Sequence, residues 1–383
     1  MARIGVVHTS LNSLGGAEKL CIQTVRALKK SGNSVDLIVT SKTDWVKVKR
    51  VFGDFTHPHK EIAITPSVRI PTIYNRFVYW LFRDVFYASR LRKHYDLTIN
   101  TNPLLPITFT DVMYMHFFSF PGALEVYYKK YQNTIMKVYK FPHDILIKLG
   151  AEIFNSLHYK PVVLTNSEFS KKVIMKYLDI VPLVVYPPVD VEKYLLLSKI
   201  RERENIILTI SRIEEGKGLE IIPKLAVKIS NAGFVVIGTL STYHYLHYLQ
   251  KMSKSLGVGN RVKIIPNASE DIKRTYLSRS KIYFHPMKYE HFGIAIVEAM
   301  ASGLVPLVNK TGGPWIDILN SRQGLYGYAY KDIDSCAAYA DLLLNSDDLR
   351  EKIVKRAKDR SKKFCSEAFR HKLIGIVGKM LKE

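Results

Sequence analysis

Two hydrophobic periodicities alternate along the chain. Runs of consecutive apolar residues, RIGVVHT at 3–9, VDLIVT at 35–40, NIILTI at 205–210, FVVIGT at 234–239 and IYFH at 282–285, read as buried strands. Between them apolar positions recur every three to four residues. EKLCIQTVRALKKSG is one such stretch and predicts an amphipathic helix stopped at Gly32. The best-defined corner is KIYFHPMKYEHFGIAIVEAMASG: a strand, a loop, and a helix from near Gly293 to Gly303, followed by the apolar strand LVPLVN. Strand, helix and strand in that order predict an α/β chain built on parallel sheets.

The same alternation continues elsewhere. DLTINTNPLLP and ITFTDVMYMHFF read as strand, turn and strand, and PVVLTNSEFSKKVIMKYL as a strand followed by a helix that Ser167 caps. Residues 45–68 show little pattern and predict loop and a short strand. The strand in PLVVYPPVD is stopped by Pro187 and Pro188, because proline cannot donate to a central ladder. A chain of 383 residues also exceeds what one core usually holds. These features divide it into a first domain over 1–187, a second over 188–365, and an amphipathic tail helix over 366–383.

Composition adds one surprise. At 47% hydrophobic and 24% charged the chain is ordinary globular material, yet 57 Lys and Arg against 34 Asp and Glu give a net charge of +23. Such a surface attracts polyanions: nucleic acid, anionic lipid or a pyrophosphate-bearing substrate. Two segments bear on the choice. Arg76, Arg83 and Arg90 recur at seven-residue spacing with Tyr79, Trp80 and Tyr87 between them. Lys129, Lys130, Lys137, Lys140 and Lys148 stand among tyrosines and phenylalanines. Both patterns suit helices at a lipid headgroup layer, and the first also fits a core helix with a solvated arginine stripe. Their repetition favours an anionic membrane surface. No recognised nucleic-acid motif accompanies the charge, so no nucleic-acid partner is expected. The N-terminal apolar run is too short for a signal peptide, and no uncharged apolar run is long enough to span a bilayer. Cys21, Cys336 and Cys365 lack metal-type spacing and fit a reducing, cytoplasmic compartment.

The candidate chemistry gathers at loops that leave strands. A helix opening near Gly293 offers the amides of Gly293, Ile294 and Ala295 to an anion, and the helix dipole favours phosphate there. Glu290 and Glu298 frame that mouth with seven residues between them. A carboxylate beside a diphosphate is repelled unless hydroxyls donate to it, and vicinal diols do so well. A phosphate flanked by diols is a nucleotide sugar. Arg212 and Lys217 follow a buried strand and supply a forked guanidinium and a point charge for a departing diphosphate. Gly15-Gly16 reads as a tight turn or as a phosphate-approaching loop, and His116 as a structural or a cleft histidine at a strand end. Gly238, also at a strand end, is positioned to approach a ligand.

EHFGIAIVEAM followed by KTGGP resembles the signature of family-4 glycosyltransferases, the retaining nucleotide-sugar enzymes of the GT-B fold. EHFGI with NKTGGPWIDIL is similar in particular to the subgroup that extends lipid-linked oligosaccharides of the N-glycan pathway with α-1,2-linked mannose, and His291 fits that subgroup. The resemblance implies two Rossmann-like domains with parallel sheets facing a central cleft, the first on the acceptor side, the second binding the nucleotide sugar, and a tail helix crossing back. It implies that Arg212, Lys217 and the Gly293 and Ile294 amides hold the diphosphate, as the form SRIEEGKG also suggests. By the same resemblance Glu298 takes the ribose diol and Glu290 the sugar hydroxyls. Gly15, Gly16 and, less firmly, Glu18 face the diphosphate, while His116, in the Y-x-H form Tyr114-Met115-His116, contacts the sugar. His116, Arg212, Lys217 and Glu290 are thus the expected catalytic group. No D-x-D metal site is evident, so the enzyme is expected to work without a metal or other cofactor. The implied donor is GDP-mannose and the acceptor a polyprenyl-linked glycan, met by a peripheral protein on the cytoplasmic face of a membrane. Two rivals are a same-fold transferase with a soluble or phosphoinositide-type acceptor, and a non-enzymatic basic nucleic-acid-binding protein. The second leaves Glu290 and Glu298 without a role.

Overall fold

The structure is a computed structural model. It describes residues 1–64, 92–103, 110–116, 134–158, 160–199 and 202–382, except the side chains of 134–143, 146 and 199. Arg76, Trp80, Arg83, Arg90, Lys129 and Lys130 lie outside the described residues. The chain falls into two compact units: residues 1–123, 137–188 and 366–383 form one, and the other is built chiefly of 189–365.

In the first unit, β1 (Arg3–His8), β2 (Ser34–Val39), β3 (Lys60–Ala63), β4 (Leu97–Asn100), β5 (Val112–Met115), β6 (Val162–Thr165) and β7 (Leu183–Val184) form one sheet. Its order is β3-β2-β1-β4-β5-β6-β7 and every pairing is parallel. The helix Gly16–Lys30 follows β1, burying Leu20, Cys21, Val25 and Leu28, and Gly32 turns the chain out at φ 83°. Phe369, Leu373 and Val377 of the tail helix Ser366–Met380 join the same core as Ile4, Val6 and Leu20. Ser167 caps Glu168–Met175 by accepting from the Ser170 amide at 2.9 Å.

Of the expected loop and short strand over 45–68, the strand is present as β3, residues 65–68 lie outside the described residues, and Trp45–Phe52 departs from the reading by forming a helix. WVKVKRVF has a period-two look, yet the helix is anchored through Trp45, Val48 and Phe52, spaced by three and four residues: Val48 is buried and the other two pack partly buried against the same core. The Asp44 carboxylate opens it by accepting from the Lys47 amide at 3.1 Å, and Gly53 closes it at φ 74°.

The second unit repeats the plan with six strands: β8 (Glu204–Ile210), β9 (Gly233–Gly238), β10 (Val262–Pro266), β11 (Ser280–His285), β12 (Val305–Asn309) and β13 (Tyr328–Tyr330). All pairings are parallel in the order β10-β9-β8-β11-β12-β13. Ile207, Phe234, Ile282, Phe284, Val305 and Leu307 form its centre. Strand order reverses between β1 and β4 in one unit and between β8 and β11 in the other. At such a reversal neighbouring connections leave in opposite directions and open a crevice beyond the strand ends, where α/β sheets bind ligands. The loops carrying Arg212, Lys217 and Glu290 leave β8 and β11, so the second unit places them at its crevice. No helix among the described residues is long and apolar enough to cross a membrane.

Candidate active site

The corner after β11 is fixed from behind. The helix Ile294–Ala301 buries Ile296, Val297, Ala299, Met300 and Ala301, and Gly303 reverses the chain at φ 89°. Gly293 stands at φ 93°, and a Cβ there would lie 2.6 Å from Ile296 Cδ1. The Ile296 amide donates to Gly293 O at 3.0 Å, so the amides ahead of it precede the helical ladder and give the helix mouth its donors. Gly312 and Gly313 press the next loop directly onto this one: a Cβ on Gly312 would lie 2.4 Å from Glu290 O, and one on Gly313 2.1 Å from His291 O. The Gly313 amide donates to Glu290 O at 2.8 Å, and the Tyr289 amide to Thr311 Oγ1 at 2.9 Å.

Glu290 is the hub of this corner. Its Oε2 lies 3.7 Å from Lys217 Nζ and 3.5 Å from His285 Nε2, and its Oε1 accepts from the His291 amide at 3.1 Å. Lys217 is brought there by its own loop. Gly218, at φ 70°, sits where a Cβ would be 3.1 Å from Pro286 O, and Lys217 Nζ is 3.2 Å from Met287 Sδ. Burial by itself would raise the Glu290 carboxyl, but Lys217, His285 and His291 outweigh it and hold the group ionised, well below the usual carboxylate range. Burial pushes the His291 imidazole down to about 4, against the pull of Glu290 and with the help of Lys217, so it is neutral at pH 7.

Arg212 is not gathered into this cluster. Its side chain is 60% exposed and pairs with Glu214 at 3.0 Å, whose carboxylate also accepts from Ser241 Oγ. Gly238, expected to admit a ligand, admits the chain itself: a Cβ there would lie 1.7 Å from Ser211 O. Glu298 is buried at 6% exposure and meets Lys273 Nζ at 2.7 Å, which in turn donates to Tyr194 OH at 2.9 Å. Neither glutamate is on an outer surface, but each has its own cation. Sequence reasoning missed Lys273, Tyr194 and His285. The only signal for His285 was its place at the end of β11, one step before the loop.

In the first unit the loop after β1 is held by Glu18, whose Oε2 accepts from the Gly15 amide at 2.7 Å. Glu18 Oε1 lies 3.6 Å from Nε2 of the fully buried His8, whose Nδ1 is 2.9 Å from Thr101 Oγ1. His116, at the end of β5, donates from Nε2 to Thr101 O at 3.0 Å and packs its ring 4.7 Å from that of Tyr114. Its carbonyl accepts from Asn166 Nδ2 at 2.8 Å. Among the described residues no group of three or more His, Cys, Asp or Glu is placed to hold a metal ion.

Two parallel-sheet α/β units, each with a crevice at its strand-order reversal, have the GT-B architecture. Residues 192–360 match the family of glycosyl transferases group 1, a domain that the chain carries. Over 217 residues it is 27% identical to the GDP-Man:Man(3)GlcNAc(2)-PP-Dol alpha-1,2-mannosyltransferase of Dictyostelium discoideum, covering 52% of this chain and 43% of that protein. Over 369 residues it is 23% identical to the alpha-1,3/1,6-mannosyltransferase ALG2 of the same organism, covering 84% of this chain and 85% of the relative. The chain thus spans less than half of the first relative and most of the second. Its fold matches that of the sucrose-phosphate synthase of Thermosynechococcus elongatus with a TM-score of 0.75 at 15% identity, covering all of both chains.

Proposed function

We propose that this glycosyltransferase moves mannose from GDP-mannose to a lipid-linked glycan, with retention and without a metal, as a peripheral protein on the cytoplasmic face of a membrane. The observation that carries the reading is Glu290, held ionised between Lys217 and His285 next to the amides that open the helix after Gly293. An ionised carboxylate there accepts hydrogen bonds from sugar hydroxyls, while the amides, Lys217 and Arg212 take up the negative charge that grows on the leaving diphosphate. The anomeric carbon loses its bond to a phosphate oxygen and gains one to the acceptor oxygen on the same face, and a diphosphate oxygen takes the acceptor's proton. Glu298 is assigned to the ribose diol. Gly15 and Gly16 are assigned to the diphosphate and His116 to the sugar, on the resemblance of their motifs. The relatives named for mannosyl transfer support the sugar, the relative whose name includes GDP-Man and PP-Dol supports donor and acceptor, and the net charge of +23 supports an anionic surface.

The test is a thermal-shift panel of GDP-mannose, GDP-glucose and UDP-sugars, followed by transfer to polyprenyl-pyrophosphate-linked oligosaccharides with the anomeric product read by NMR. Stabilisation by GDP-mannose and an α-linked product are expected. No shift with any nucleotide sugar, or full turnover by Glu290→Gln, would sink the reading.

A further inference from the structure

The contact that most needs explaining is a buried ion pair between two helices. Lys273 lies on the helix Glu270–Arg279, which Ser269 opens by accepting from the Ile272 amide. That helix leads into β11, and its Lys273 Nζ reaches Glu298 Oε2 at 2.7 Å. Tyr194 supports the ammonium from below, with its hydroxyl 2.9 Å and its ring centroid 5.2 Å from Nζ. Glu270 is 3.9 Å from the same Nζ and is itself paired with Lys193 at 2.9 Å. Burial would drive Lys273 down, but Glu298, Tyr194 and Glu270 hold it well above the usual lysine range, so it stays charged. Taking two charges out of water is costly, and such a pair is weak evidence for stability.

Its geometry solves a different problem. A carboxylate that takes the donor's ribose diol stands close to a dianionic diphosphate and is repelled by it; a fixed ammonium on one oxygen offsets that repulsion and orients the carboxylate, which as an acceptor has further lone pairs to offer. We infer that Lys273 is a positioning residue for ribose recognition, fixing the Glu298 carboxylate as an ionised diol acceptor beside the diphosphate. The inference rests on the reading that Glu298 takes the ribose.

Isothermal titration of the full chain with GDP and 2′,3′-dideoxy-GDP tests it, with UDP and its dideoxy form as a second pair. The wild type should prefer the ribose form by about ten- to a hundredfold, the scale of hydrogen bonds to a charged acceptor. Lys273→Met should abolish that preference while leaving the dideoxy form bound as in the wild type. An equal loss for both forms, as a purely structural pair would give, or an unchanged preference, overturns the inference. Since Lys273→Met strands a buried carboxylate, which destabilises the fold, Glu298→Gln and the double variant Lys273→Met/Glu298→Gln provide a second comparison. These two should bind GDP alike, and a further loss of about tenfold in the double variant would show that Lys273 acts otherwise. Wild-type binding with no diol preference removes the inference and leaves the donor reading standing; no binding of any of the four ligands removes both.

Discussion

Each unit buries a histidine beside a glutamate near its crevice, and the two histidines shift in opposite directions. Burial pushes both imidazoles down. At His8, Cys21 and Glu18 outweigh burial and raise the group to about 9. At His291, Glu290 pulls the same way, but Lys217 adds to burial and the result is about 4. The third neighbour decides the outcome. In the first corner the carboxylate is tied up, capping the Gly15 amide and facing a charged imidazole. In the second an ammonium faces the carboxylate and two histidines crowd it, which keeps the carboxylate ionised while His291 stays neutral.

Removing the third neighbour should break the contrast most sharply. Lys217→Ala is expected to lower sugar transfer by about a hundred- to a thousandfold, the scale of one lost donor to developing charge. Its thermal midpoint should move far less, and turnover at the wild-type rate would take Lys217 out of the site. Acid comes next. The folded value of His291 lies below its unfolded 6.5, so the unfolded chain binds more protons and stability falls as pH drops from 6.5 toward 4, by on the order of 3 kcal/mol. Urea unfolding across that range measures the loss, and His291→Gln should flatten it, leaving the limb at lower pH where Glu290 protonates. The smallest effect belongs to the first corner. Glu18→Gln should cost about 1 kcal/mol at pH 7, as a weakened cap does. Because the raised value of His8 stabilises below 6.5 and that contribution is lost as pH rises through 9, the gap between wild type and variant should narrow above pH 9. A gap that stays constant with pH would mean Glu18 serves the loop only.

The strands and the strand-loop-helix corner after β11 were legible because their signals are local. Consecutive apolar residues, Gly293 before an apolar helix and Ser167 before Glu168 each act within a few positions. The Trp45–Phe52 helix was masked by the alternation VKVK near its start, although Trp45, Val48 and Phe52, which pack on the core, carry the three- and four-residue spacing of a helix. Gly238 shows the same limit: a strand-end glycine looks alike whether it admits a ligand or the Ser211 carbonyl. The partners of the two glutamates were hidden for a topological reason. Lys273 reaches Glu298 across 25 positions and Tyr194 across 79, distances that only the order of strands in the sheet converts into contact. Lys217 was placed in the site by charge logic, but its pairing with Glu290 depends on β8 and β11 lying side by side.

The glycine pair at 312 and 313 carries a lesson for engineering. With its backbone seated against the carbonyls of residues 290 and 291, neither segment has slack of its own. Altered sugar preference is therefore best sought by transplanting residues 286–293 and 309–314 together as one cassette, since a donor segment moved by itself would arrive without the surface that gives it its shape.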